Sequence, residues 1–185
     1  YLKTSDEPKA ALRGAVGNLL KGGHNAAAVR LVQGAVASGN VAPDVAESVG
    51  KACLTLGDRR CALRYLGMFL DGSLSLQYDY VGLADALSRS ALFGLAGRSL
   101  GLARRALPRD RHWEIDLAEG TLEVLRGRDA AADESFRKAA DGSTRKRVTL
   151  LSIAKVLQDA RRLEAAAGWY RKAMGDPDAA FRAQT

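Results

Sequence analysis

Three features of the chain predict an all-helical protein. Of its 185 residues, 47% are hydrophobic and 26% charged, which is the balance of a folded chain with a real core rather than of a disordered one. Aromatic residues make up only 6% and prolines number 4, while Ala, Leu and Gly carry much of the sequence. That mix favours helices over sheets built from β-branched and aromatic strands. The third feature is a repeat with the length of a helical hairpin: Phe136-Arg137-Lys138-Ala139 returns as Tyr170-Arg171-Lys172-Ala173, 34 residues later.

The agreement extends on either side of that tetrapeptide. Ala132 matches Ala166 and Gly120 matches Ala154, so small residues recur where two helices must approach closely. The bulky ring follows the second small residue by one helical turn. Gly127 and Arg161 lie in short polar breaks between apolar periodic segments and mark the turn inside each hairpin. Carried upstream, the template places turns at Gly22, Gly57 and Gly94, giving spacings of 35, 37, 33 and 34 residues. The small residues of the second helices are then Ala27, Ala62 and Ser99, followed by Leu31, Leu66 and Ala103, with first-helix partners Ala15, Gly50 and Leu87. Pro43, Pro108 and Pro177 fall near hairpin boundaries, where a residue without an N–H ends one helix or starts the next. The prediction is five hairpins, near 8–42, 43–79, 80–112, 113–146 and 147–180, in a single domain over 8–180. A linker at 1–7 and a tail at 181–185 flank it.

With these residues in place the chain resembles the tetratricopeptide repeat family over about residues 8 to 180. Gly120, Gly127, Ala132, Phe136 and Ala139 match the family's small, turn, small, aromatic, small pattern, and Ala154, Ala166, Tyr170 and Ala173 repeat it. The resemblance implies a right-handed α-solenoid of about five helix-turn-helix units. Two features depart from the family: the early first-helix Trp is absent, and Asn18, Cys53, Ser90, Glu123 and Leu157 stand where a Tyr is expected. Sel1-like repeats are the nearest alternative, and some of their cysteine-rich members carry disulfides with the seven-residue gap found here between Cys53 and Cys61.

In such a solenoid the first helices line the concave surface and the second helices much of the convex one. Projected onto the inner face, the register selects Lys9, Leu12, Val16, Glu47, Lys51, Leu54, Ala84, Ser88, Leu92, Leu117, Thr121, Val124, Leu151, Lys155 and Gln158. This mostly apolar set suits an amphipathic helix or an extended segment with hydrophobic anchors. The clamp with which some family members hold a C-terminal carboxylate is not reproduced, because Lys9 and Lys51 are followed by Ala84 and Ser88 rather than by further donors. On the outer face Arg104-Arg105, Arg137-Lys138 and Arg171-Lys172 are read as equivalent positions forming a basic ladder.

Charge and motifs narrow the function classes. The formal net charge is +7, which permits attraction to nucleic acid or acidic proteins. The densest basic patch, Arg145-Lys146-Arg147, is nevertheless short and lacks aromatic platforms for base stacking. Cys53 and Cys61 are the only cysteines, so thiolates cannot assemble a zinc site, and His24 and His112 are far apart in sequence. A turn at Gly57-Asp58 brings the two sulfurs within disulfide reach; buried free thiols are the alternative. Gly50-Lys51 fails as a phosphate loop, with Val45 at the first glycine position and Ala52 at the Ser/Thr position. His112-Trp113 reads as part of a loop between repeats, with Trp113 covering the next hairpin. No cofactor is expected, and no run approaches the roughly 18 apolar residues of a membrane span. The chain opens on Tyr1 rather than Met, so a processed or excised piece of a longer protein is expected.

The expected function is a non-catalytic scaffold that binds a peptide or partner protein in its groove. The alternative is a basic scaffold for nucleic acid or an anionic polymer, and self-association through an exposed terminal repeat is a further possibility. Abundant Ala and a preference for Arg over Lys suggest a high-GC bacterium, where such arrays serve envelope assemblies such as pilus, secretion and exopolysaccharide machines. A periplasmic or envelope-associated location is therefore favoured over the cytoplasm.

Overall fold

The computed structural model describes residues 7–36, 41–72 and 78–175. The tail at 181–185, the linker up to residue 6 and Pro177 lie outside these; Glu7, assigned to the linker from sequence, opens the first helix. Ten α-helices and no strand occur among the described residues, packed in neighbouring pairs. They divide into two compact units, 1–74 and 75–185, where one continuous domain is expected from the sequence.

The N-terminal unit holds α1 (Glu7–Lys21) paired with α2 (Asn25–Val36) and α3 (Pro43–Thr55) paired with α4 (Arg59–Asp71). Pro43 takes the first turn of α3, where its missing N–H costs nothing. The C-terminal unit holds α5 (Tyr80–Arg89) with α6 (Phe93–Ala106), α7 (His112–Leu125) with α8 (Asp129–Gly142), and α9 (Lys146–Asp159) with α10 (Leu163–Ala173). A 3-10 turn, Arg109–Arg111, follows Pro108 and leads into α7. Within this unit the first helices are neighbours, α7 packing on both α5 and α9.

All five hairpins close in the same way. The N–H of residue 24, 58, 92, 128 or 162 bonds the carbonyl of Leu19, Cys53, Leu87, Glu123 or Leu157, at 2.8–2.9 Å. One residue earlier, the N–H groups of Gly23, Gly57, Ala91, Gly127 and Arg161 bond the carbonyls of Leu20, Leu54, Ser88, Val124 and Gln158. This pair of bonds is the Schellman closure, which needs a left-handed residue just beyond the helix. Gly23, Gly57, Ala91, Gly127 and Arg161 fill that place, with φ between 55° and 76°.

The closure corrects the expected register. The third turn lies at Ala91, not Gly94, which is the second residue of α6; the first lies at Gly23, not Gly22. The spacings become 34, 34, 36 and 34 residues. Five residues after each left-handed position stands an alanine, Ala28, Ala62, Ala96, Ala132 or Ala166, and every one is buried. Ala27 and Ser99 are therefore not the equivalent residues. Seven residues before the left-handed position stand Val16, Gly50, Ala84, Gly120 and Ala154, replacing the expected Ala15 and Leu87.

Small residues at this first-helix position let the second helix press close. A Cβ on Gly120 would collide with the Phe136 ring, and one on Gly50 with Leu66. The ring of Phe136 also meets Trp169 edge-on, centroids 6.5 Å apart, in a core that includes Val124, Ala132, Ile153, Ala154, Leu157 and Ala166. Buried hydroxyls find partners: Ser99 Oγ donates to the Tyr80 carbonyl at 2.7 Å, and Thr149 Oγ1 to Ser143 Oγ at 2.8 Å.

Candidate peptide-binding surface

The residues projected onto the inner face do not share one exposure. Val16, Ala84, Ser88 and Leu92 are buried and serve the fold itself, so they offer a partner no free surface; Val124 is buried as well and shows only an edge, in the wall of a cavity. For Ala84 and Leu92 the cause is the register: Ala84 is the close-packing position of α5, and Leu92 immediately precedes α6. Lys9, Leu12, Glu47, Leu54, Leu117 and Thr121 are half-buried, and Lys51, Leu151, Lys155 and Gln158 are exposed. Leu117 packs against the core around Phe136, and Thr121 Oγ1 donates back to the Leu117 carbonyl of its own helix at 2.9 Å.

In the N-terminal unit, Lys51 pairs with Glu47 at 2.5 Å along α3, and Arg13 of α1 pairs with Asp44 at 2.6 Å. These charges are matched locally. In the C-terminal unit a cavity of about 200 Å³ opens where α5, α7 and α9 end. Val124, Leu125, Val156 and Ala160 give it apolar walls, and Thr121, Arg89 and Asp159 edge it. Leu125 is 43% exposed and so presents apolar surface at the cavity. Arg89 hydrogen-bonds Asp85 at 2.9 Å, and its pKa is raised first by that bond and further by the charges of Asp85 and Asp159. The cavity thus sets apolar walls between groups of opposite charge.

Corrected alignment dissolves part of the basic ladder. Arg137 and Lys138 correspond to Arg171 and Lys172, but their counterparts in α6 are Gly101 and Leu102, not Arg104 and Arg105. Arg104 instead reaches α7, with Nη2 2.8 Å from Asp116 and 3.0 Å from Glu119; the Asp116 hydrogen bond is the main cause of its raised pKa. Arg137 pairs with Asp133, and Lys138 with Glu134 at 2.6 Å. Arg105 and Arg171 are exposed, and Lys172 lies over the Trp169 ring with Nζ 4.2 Å from its centroid. Half of the ladder is therefore matched by nearby carboxylates, which weakens it as a field for polyanions.

Cys53 and Cys61 are joined in a disulfide across the Gly57 turn, with Cα atoms 5.6 Å apart. Cys53 is fully buried at the place where three other hairpins carry Leu19, Leu87 and Leu157. The Asp58 carboxylate caps α4 by accepting from the Cys61 N–H at 3.0 Å. In the fourth hairpin that same place holds Glu123, a residue whose role sequence reasoning missed. Arg126 donates to Glu123 at 2.7 Å and to the Phe93 carbonyl at 3.0 Å, tying α7 to the start of α6.

The remaining motifs have structural places. Gly50-Lys51 sits inside α3, where Leu66 occupies the space beside Gly50. His112 opens α7 rather than lying in a loop, with Nε2 3.2 Å from the Leu107 carbonyl, and Trp113 lies beside Gly142 at the end of α8. His24 precedes α2 and lies against Gly22. Among the described residues no group of three His, Cys, Asp or Glu side chains is placed to hold a metal ion, and no helix is long and apolar enough to cross a membrane. No protein-family model, curated protein or solved structure matches the chain.

Proposed function

We propose that this chain is a non-catalytic adaptor of the tetratricopeptide type that binds a segment of a partner protein along the first helices of its C-terminal unit. The observation that carries the reading is the cavity between the ends of α5, α7 and α9, where the partly exposed Leu125 stands among apolar walls. Five hairpins with the same closure and the same buried alanine support the repeat type, although the 36-residue step leaves room for the Sel1-like relative. A partner's apolar anchor would enter beside Leu125, with Arg89 and Asp159 orienting its backbone or polar neighbours.

The disulfide supports an oxidising compartment, and the reading accordingly places the adaptor in a bacterial periplasm or envelope assembly. Crosslinking capture from fractionated host extract, comparing the native chain with Leu125→Asp, tests the proposal. Loss of a captured protein with Leu125→Asp, at unchanged helix content, is the expected result. Equal capture by both forms would remove the groove from the account.

A further inference from the structure

Two basic features that are separate in sequence meet in space at the opposite end of α9 from the Leu125 cavity. Arg137 and Lys172 belong to the outer ladder, and Lys146 to the Arg145-Lys146-Arg147 patch. All three line a cavity of about 380 Å³ between α8, α9 and α10, together with Ala140, Asp141, Leu150 and Trp169. We propose that this cavity is a binding pocket for a single carboxylate carried on an apolar stem, such as an acidic side chain beside a hydrophobic one in a partner protein.

The charges define the ligand class. Arg137 is already committed to Asp133, and a matched guanidinium adds little to the field. Lys146 and Lys172 have no carboxylate partner among the described residues, and Asp141 has no cation. Lys172 rests instead on the face of Trp169, which holds its ammonium at the cavity wall. Two unmatched ammonium groups against one carboxylate leave a single excess positive charge, which fits a monoanion better than a phosphate dianion. Leu150, Ala140 and the largely buried Trp169 supply an apolar floor for the stem. This pocket shares no residue with the Leu125 cavity, so the two sites stand or fall separately.

The test is an NMR titration of the isotope-labelled full chain with a blocked Leu-Glu-Leu peptide, its Leu-Gln-Leu counterpart and inorganic phosphate. The Glu peptide should shift the Lys146, Leu150 and Lys172 amides and the Trp169 indole signal. The double variant Lys146→Ala/Lys172→Ala should weaken that binding about tenfold or more. A variant retaining only Lys172→Arg should keep most of it, since the charge remains. The proposal is overturned if the Gln peptide shifts the same signals equally, if phosphate binds more tightly than the Glu peptide, or if the double variant binds as well as the native chain with an unchanged melting curve.

Discussion

Gly120 and Phe136 share one volume: the ring of the second helix occupies the space where any side chain on the first would begin. Sixteen residues separate them, and the same interval joins Gly50 to Leu66, Ala84 to Leu100 and Ala154 to Tyr170. Gly120→Ala should therefore destabilise. Overpacking costs about 1–3 kcal/mol, which outweighs the roughly 1 kcal/mol that alanine gains over glycine in a helix. Gly50→Ala should destabilise next in order, since its Cβ would meet the Leu66 side chain slightly less closely than that of Gly120→Ala meets the ring, while the Leu66 backbone N at 3.1 Å limits what a rotamer change can relieve. Urea unfolding of both variants checks the order, and a stabilised Gly120→Ala would refute the close approach.

Two hairpins place a residue with a Cβ in the left-handed turn, Ala91 with φ 55° and Arg161 with φ 63°. The left-handed conformation costs such residues about 1–2 kcal/mol, part of which glycine returns as unfolded-chain entropy. Ala91→Gly and Arg161→Gly should each raise stability by up to about 1 kcal/mol. Gly57→Ala and Gly127→Ala should lower it by a similar amount. Thermal melts of the four variants decide the matter through their opposite signs.

The disulfide closes a short loop at the α3–α4 turn, and reducing it should cost about 2–3 kcal/mol by chain-entropy arithmetic. Cys53 stands where other hairpins carry leucine, so the variant Cys53→Leu/Cys61→Ala should recover part of that loss without any covalent bond. Melting in the presence and absence of reductant separates the effects: the native chain should respond to reductant and the variant should not.

Tyr65 is buried in α4 with no hydrogen-bond partner for its hydroxyl among the described residues, and burial raises its pKa above the usual 10.0, opposed by the charge of Arg64. A buried phenol favours its neutral form, so its contribution to stability is complete below the unfolded pKa and lost as pH rises through the higher folded value. Tyr65→Phe should stabilise at neutral pH by about 1 kcal/mol, the desolvation cost of an unsatisfied hydroxyl. It should also flatten the decline in stability above pH 10. A destabilised phenylalanine variant would point to a missing partner for the hydroxyl.

Much of the fold was legible because the hairpins obey simple rules. Turns at Gly57, Gly127 and Arg161 follow from polar breaks and spacing, and Gly50, Gly120 and Ala154 follow as close-approach positions of the first helices, whereas the bulky partners Leu66 and Phe136 that fill the space beside Gly50 and Gly120 emerge only from the structure. The third turn was not legible, because Ala91 occupies a left-handed position that glycine normally advertises, while Gly94 two residues into α6 offered a false signal. That three-residue slip carried Ala84 and Ser88, both buried, onto the expected groove and Arg104 onto the expected ladder. The cavity around Lys146, Trp169 and Lys172 was illegible for a different reason: three helices assemble it, and no local spacing connects Lys146 to Lys172.

Site-specific photo-crosslinking tests the central claim most directly, with a photoreactive residue at position 125 of the otherwise native chain in its host and another at exposed Leu63 of α4 as a control. The account predicts a discrete adduct from position 125, absent at position 63 and suppressed when Val156→Asp is added to the groove wall. Equal adducts from both positions, or an adduct at 125 that Val156→Asp leaves unchanged, would contradict a partner-binding groove at the ends of α5, α7 and α9.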